Sequence, residues 1–386
     1  MSSSTLAQAL NYRRFQPGSK RKVLLLKWKY MIVNDIIEIA EKMGWEIASL
    51  PTPHGGTASQ EFLSNLLRAL VQHKPDFILT LNHTGFDANG RLAELLNGFQ
   101  IPVASWFVDH PRPILEGSPN NAQQNTQLFC FERTSMQWLS QVGFEDAHFL
   151  PTAASPNMLR NNKVLERFQH DVAFVGGSWW ERARNSYSSD NQAIARKLYE
   201  EHQENLIGML TDDQDEILSQ PAEAIQIALA ELSLQRRVGL IQAVESLNPA
   251  VYGDENWLNL IEGIDLHPPI DAATELPALF ASTKINLNIT AAQMPTAVNQ
   301  RIWEVPLAGG FLLTDAQEDG LRFFEEDKSI VVYQSFEEAL DKAKYYLDND
   351  SERKKIVAKA RALVEQNHQL EHRLSEIDSI MKKRFA

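Results

Sequence analysis

The sequence predicts an α/β protein built from two parallel-sheet domains, and three observations carry that prediction. Short apolar runs alternate with segments of helical period from Val23 onward. A stretch rich in Pro, Asn and Ser, residues 151–162, interrupts the alternation, which restarts at Asp171. The 386-residue length accommodates two domains at roughly 100–200 residues each.

In chain order, residues 1–21 are polar, with Pro17 and Gly18 before a basic cluster, and are expected to form a flexible arm. Val23–Leu26 fits a buried parallel strand. A helix follows from about Asn34 to Gly44, and a second strand from Trp45 to Leu50. Ser59 is placed to cap a helix whose Phe62, Leu66 and Leu70 share one face and which Lys74-Pro75 stops. Asp76–Leu81 and Ile101–Val108 read as strands around a helix at Gly90–Gly98. Gln127–Phe131 and Ala147–Leu150 read as strands around a helix at Thr134–Gln141. After a split near 151–168, strands are expected at Asp171–Gly176, Ala250–Gly253, Ile285–Thr290, Phe311–Asp315 and Ser329–Tyr333. Ser335 and Glu338 form a capping box on a further helix.

Composition excludes several classes. Fifty acidic against 37 basic residues give a formal charge of −13, which disfavours a nucleic-acid partner held through phosphates. A single cysteine, Cys130, excludes an intramolecular disulfide framework and a thiolate zinc cluster; its neighbours Leu128, Phe129 and Phe131 make it a small buried hydrophobe. No apolar run approaches the roughly 18 residues of a membrane span, and the N-terminus lacks a signal-peptide core. The expectation is a cytoplasmic protein of a reducing compartment. Between Glu201 and Glu231 lie eight acidic residues and no Lys or Arg, within a long helical stretch at 189–246. That stretch is either a solvated helical face or a docking surface for a basic partner.

In open parallel sheets ligands bind beyond the carboxyl ends of the strands. In the first half those ends carry His83 and Asp87, then Asp109, His110 and Arg112, with His54 and its paired glycines after the second strand. An imidazole or carboxylate there can take a proton from an acceptor hydroxyl, so Asp109, His110 and His83 are the candidate catalytic residues. The alternative is that the histidines only cap strand ends. In the second half, Gly176, Gly177 and Ser178 end a strand just before Arg182 and Arg184, a combination suited to an anion but matching neither a Walker loop nor G-x-G-x-x-G. A helix expected to begin near Thr296 carries Asn299, Arg301 and Glu304, a phosphate site by dipole and exposed amides. Arg301 and Glu304, three apart, either grip one ligand or pair with each other. Trp28, Trp106, Trp179, Trp180 and Trp257 fall near strand ends, with core packing the default. His368 and His372, four apart, lack the H-E-x-x-H order, and no metal site is expected.

The block from Ile285 to Arg373 (INLNIT, VNQRIWEVPLAGGFLLTD, SIVVYQSFEEALDKAKYYL, NHQLEHRLSEI) resembles the C-terminal domain of CgeB-type glycosyltransferases, the spore-maturation family. The segments PDFILTLNHTGFD and IPVASWFVDHPRPIL resemble the domain that often precedes it. The resemblance implies a GT-B architecture, two Rossmann-like domains facing a cleft. The domains would be 22–160 for the acceptor and 161–365 for the nucleotide-sugar donor, with a helical insertion at 189–246. Residues 366–386 would be a helix crossing back, buried through Leu374, Ile377 and Ile380. It further implies that Glu304 hydrogen-bonds the ribose, and that Arg301, Gly176 and Gly177 meet the diphosphate of a nucleotide-diphosphate sugar; Arg182 and Asn299, read above from their positions, complete the candidate binding residues. No metal or other cofactor is implied. Thr296 stands where many related retaining enzymes have a second Glu, so the stereochemical outcome stays open. A two-lobed binding protein and a nucleotide-sugar epimerase remain alternatives at this point.

Overall fold

The computed structural model describes residues 3–28, 32–53, 59–184, 189–202 and 222–386. They form two compact units, one of Met1–Thr152 with Leu370–Ala386, the other of Ala153–Gln369. Each contains one six-stranded parallel sheet.

In the first unit the strands are β1 (Lys22–Lys27), β2 (Glu46–Pro51), β3 (Phe77–Leu81), β4 (Val103–Phe107), β5 (Thr126–Cys130) and β6 (His148–Phe149). They lie in the order β2-β1-β3-β4-β5-β6. All residues of β3, β4 and β5 are buried, as befits strands covered by helices on both faces, while β2 at the edge is half-exposed. Ser59 caps the helix Gln60–His73 by accepting from the Phe62 amide at 3.1 Å, and Lys74 ends it in the left-handed conformation. Cys130 is fully buried, and burial pushes its thiol up to about 12, so it stays protonated and inert.

The N-terminal segment is not a loose arm. Ser3–Leu10 is helical, and Leu10 and Phe15 are only 1% and 3% exposed. Asp76 gathers the segment by accepting from the Phe15 amide (2.5 Å), the Lys22 amide (2.9 Å) and Arg21 Nη1 (3.0 Å). Phe15 stacks on Phe77 with ring centroids 6.2 Å apart. One buried carboxylate with several donors, together with two apolar anchors, overrides the polar composition of the segment. The C-terminal helix Leu370–Phe385 closes the same unit, buried through Leu374, Ile377 and Met381 rather than Ile380. Its Asp378 pairs with Arg21, and Arg373 Nε donates to the carbonyls of Pro151 (3.0 Å) and Thr152 (3.2 Å).

In the second unit the strands are β7 (Val172–Val175), β8 (Ala250–Tyr252), β9 (Asp265–His267), β10 (Ile285–Leu287), β11 (Leu312–Asp315) and β12 (Val331–Tyr333). Their order is β12-β11-β10-β7-β8-β9. Counted within the unit this is 3-2-1-4-5-6, the doubly wound order of dinucleotide-binding folds. Strand β9 was not foreseen, and β10 ends three residues earlier than expected. Ser335 Oγ accepts from the Glu338 amide at 3.2 Å, and Glu338 reaches back to the Gln334 amide at 2.7 Å, one residue further than a capping box requires. Gly310 is fixed by close packing, because a Cβ there would lie 2.4 Å from the Phe280 carbonyl oxygen. The helix Ser189–His202 and the helix Ala222–Ala243 are described, but most of the acidic stretch at 201–231 lies outside the described residues. Among the described residues no helix is long and apolar enough to cross a membrane.

Candidate functional site

In the second sheet the strand order reverses between β7 and β10, so the loops leaving these two strands turn apart and open a crevice at their carboxyl ends. The loop after β7 supplies Gly176, Gly177 and Ser178; the loop after β10 leads to Asn299, Arg301 and Glu304.

The helix on that second loop begins at Arg301, not Thr296, and runs to Ala308. The intervening segment is held by longer contacts, since the Thr296 carbonyl accepts from the Asp319 amide at 3.1 Å and the Ala292 amide donates to Ser233 Oγ at 3.0 Å. The first-turn amides are already engaged: Arg301 N with Asn299 Oδ1 (3.1 Å), Trp303 N and Glu304 N with the Gln300 carbonyl (3.0 Å each). Exposed amides therefore do not make the anion site expected here. Asn299 is itself a structural link, because its Nδ2 donates to Asn288 Oδ1 at 2.9 Å. Glu304 is 5% exposed and paired with Arg301, so of the two readings of that spacing the intrahelical ion pair is the one observed.

The positive charge of the site comes from guanidinium groups. Arg237, on the helix Ala222–Ala243, donates Nη1 to the Gly177 carbonyl. Burial, then the charges of Arg301, Arg182 and Arg236, push its guanidinium down to about 9, with Asp254 acting the other way. Arg182 and Arg237, from different helices, both lie over the Trp179 ring, 4.8 and 5.2 Å from its centroid. Arg236 is neutralised by Asp315 at 2.9 Å and Arg301 by Glu304. Among the described residues Arg182 and Arg237 have no carboxylate within ion-pair distance. The glycines serve this arrangement, since a Cβ on Gly176 would lie 3.3 Å from Arg237 Nη1 and about as close to the Phe174 ring. Asp254 ties the two strand ends together, accepting from the Ser178 amide (2.6 Å) and Oγ (2.7 Å). Burial works against its charge, but the donations from Ser178 and Asn256 prevail and hold the carboxyl below the usual range.

The sequence reading missed Arg237. Its signal was the Arg236-Arg237 doublet that ends the base-free stretch, five residues after Glu231.

At the carboxyl edge of the first sheet the three catalytic candidates occupy different environments. Asp109 is exposed, and its Oδ2 accepts from Asn82 Nδ2 at 2.7 Å while Asn82 Oδ1 takes the amides of Val108 (2.9 Å) and Asp109 (3.1 Å). His110 is half-buried, with Nε2 3.3 Å from Ser135 Oγ; burial lowers it to about 4, against the Glu132 charge, leaving a weak proton acceptor. His83 is a core residue. It is 4% exposed, stacks on Phe86 with centroids 4.1 Å apart, and has Nδ1 3.0 Å from Ser105 Oγ. The expected role as an open base therefore does not suit it. His54 lies outside the described residues.

His83 has a measurable consequence. Burial lowers it from 6.5 to about 4, so the unfolded chain binds the proton that the folded chain refuses. Stability is full above pH ~6.5 and falls as the pH drops toward ~4, by about 2 kcal/mol at pH ~5 from this group. Urea unfolding of the chain carrying His83→Leu is expected to show a shallower loss between pH 7 and 5 than the unsubstituted chain.

His368 and His372 do not share a helix, because the helix Asp350–Asn367 ends at His368, which stacks on Trp303 at 4.3 Å.

Residues 236–379 match the family model described as glycosyl transferase-like. HepE from Anabaena, in complex with UDP and glucose, superposes with a TM-score of 0.54 at 11% identity, over 94% of this chain and 100% of that one. Sucrose-phosphate synthase from Thermosynechococcus elongatus gives 0.56 at 10% identity, over 95% and 99%. The DNA-modifying enzyme β-glucosyltransferase gives 0.51 at 10% identity, over 94% and 99%. The fold is that of GT-B glycosyltransferases. Among curated proteins none matches the chain. The matched span takes in Arg236, Arg237, Arg301, Glu304 and Asp315.

Proposed function

We propose that the protein transfers a sugar from a nucleoside-diphosphate donor to a hydroxyl acceptor. The observation that carries this reading is the meeting of Arg182 and Arg237 over the Trp179 ring at the end of β7, 4.8 and 5.2 Å from its centroid, with no carboxylate partner for either among the described residues and with the Arg301 charge bearing on Arg237. Two unmatched positive charges suit the two phosphoryl groups of a diphosphate, and the leaving group of glycosyl transfer develops that negative charge. Guanidinium groups already in place stabilise it without reorganisation.

In this reading Gly176 and Gly177 let the cationic side chains close over the end of β7. Glu304, fixed by Arg301, offers its second oxygen to the ribose hydroxyls. On the acceptor side Asp109 is the base: the acceptor oxygen attacks the anomeric carbon, its proton passes to the carboxylate, and the bond to the diphosphate breaks with the electron pair leaving on the phosphate oxygen. A base of this kind corresponds to an inverting route. The Arg301-x-x-Glu304 helix followed by Gly309-Gly310 and the strand ending at Asp315 supports a place among CgeB-type transferases. Cytoplasmic residence fits the lone protonated thiol of Cys130.

UDP is the first nucleotide to test, because HepE is complexed with UDP and glucose. Calorimetric titration with UDP, GDP and ADP is expected to give one affinity in the substrate range of about 1 μM–1 mM. Arg301→Ala and Glu304→Ala are each expected to weaken it about 10–100-fold, the loss of one charge-assisted contact. Absence of binding by all three nucleotides would sink the proposal, as would two variants that bind as tightly as the unsubstituted chain.

A further inference from the structure

The loop leaving β7 contains a bulky residue in a backbone state that such residues rarely adopt. Trp179 has φ 71°, in the left-handed region. The chain is pinned on both sides of it: Ser178 donates its amide and hydroxyl to Asp254, the Trp180 amide donates to Ser178 Oγ at 3.2 Å, and the Trp179 carbonyl accepts from the Ala183 amide at 3.0 Å. Strain held this firmly points to a placement that the fold requires of the side chain.

The half-buried ring is where two cations meet. The guanidinium carbon of Arg182 lies 4.8 Å from its centroid and that of Arg237 lies 5.2 Å away. These arginines come from different elements, the helix Trp180–Arg184 and the helix Ala222–Ala243, and they repel each other. The electron-rich face of an indole attracts both and offsets part of that repulsion. The adjacent arginine provides a contrast. Arg184 also covers a tryptophan, Trp180, at 3.7 Å, but it pairs with Glu231 at 3.2 Å and is neutralised. At Trp179 no carboxylate fills that role among the described residues, and Arg237 Nε is buried without a hydrogen-bond partner.

We propose that Trp179 is a positioning residue that holds Arg182 and Arg237 together at the end of β7 as a seat for the donor's diphosphate, with Arg237 as a direct contact. The identity of the ligand rests on the donor reading above; the seat itself needs only an anion of that size. Trp179 touches no reacting atom in this account, and its effect passes through the two arginines.

Inorganic pyrophosphate and UDP are titrated calorimetrically into the full chain and into its variants. Arg237→Ala is expected to weaken both ligands about 10–100-fold. Trp179→Leu is expected to weaken both about 3–30-fold, and Trp179→Phe, which keeps an aromatic face, to recover most of that loss. A structural role for the indole would predict no difference between pyrophosphate binding by the Phe and Leu variants once both are folded. Equal affinity of Arg237→Ala and the unsubstituted chain for pyrophosphate overturns the proposal, and this comparison stands even if Trp179→Leu does not fold. So does a Trp179→Phe chain that binds no better than the Leu variant, or an unsubstituted chain that does not bind pyrophosphate. If pyrophosphate follows the expected order while no nucleotide binds, the seat is supported and the donor reading fails.

Discussion

Asp315→Ala is expected to destabilise the chain by about 3–5 kcal/mol, the cost of leaving a buried charge without its partner. Asp315 is 1% exposed and Arg236 3% exposed, and they meet at 2.9 Å. The carboxylate has further donors: the Thr290 amide at 2.8 Å, Thr290 Oγ1 at 3.0 Å, and Gln317 Nε2 at 2.9 Å. Removing it strands a guanidinium in the interior and orphans a backbone N–H, both expensive where water cannot reach. The pair is not worth that sum in isolation, because desolvating two charges consumes much of their attraction. Hence Asp315→Ala combined with Arg236→Met is expected to recover a large part of the loss. Urea unfolding measures both. A single variant within about 1 kcal/mol of the unsubstituted chain would mean that Arg236 finds water or another partner. The same contact bears on the proposed donor site, since Asp315 fixes the start of the loop after β10 through Thr290 and Arg236 precedes Arg237 on its helix.

Much of this arrangement was legible because its signals are local. The apolar runs at Val23–Leu26 and Asp76–Leu81 mark central strands, and Ser59 marks a helix start through a hydrogen bond to a residue three positions away. The carboxyl-edge rule names Arg182, Arg301, Glu304 and Asp109 as candidates without knowledge of the strand order. What escaped depends on contacts distant in sequence. Strand β9, Asp-Leu-His, is an edge strand with one apolar residue and no periodicity to detect. The N-terminal segment reads as polar, yet Asp76, some sixty residues on, orders it through Phe15. The helix starts at Arg301, and the carbonyl of Thr296 is engaged instead by the Asp319 amide, a contact that no local pattern around Thr296 reveals. His83 looks like an edge histidine until the rings of Phe86 and Phe107 are seen to enclose it. Arg237 belongs to a helix whose approach to the end of β7 is a tertiary fact, although its doublet with Arg236 was visible.

On the proposed reaction, Asp109→Asn is expected to lower kcat by about 10²–10⁴-fold, the usual worth of a positioned general base, while KM for the donor changes little. The split follows from where the residue stands. In the proposed reaction Asp109 acts on the acceptor hydroxyl, while the arginines proposed to hold the diphosphate stand in the second unit, so the substitution removes none of the contacts assigned to the nucleotide. Nor does it disturb the fold, because the side chain is exposed and an amide still accepts from Asn82 Nδ2. What disappears is basicity. Asn82 occupies one carboxylate oxygen and fixes the plane of the group, which leaves Oδ1 to receive the proton. Asn82→Ala is therefore expected to cost less, about 10-fold in kcat, by loosening an orientation that the carboxylate can still sample. His110→Ala is expected to cost less still, since a half-buried imidazole lowered to about 4 accepts protons poorly near neutrality. Release of nucleoside diphosphate from a sugar nucleotide, with water as the acceptor, reads all three without knowledge of the natural acceptor. If Asp109→Asn retains full kcat while Asn82→Ala loses it, the base lies elsewhere and the loop after β3 acts through another group.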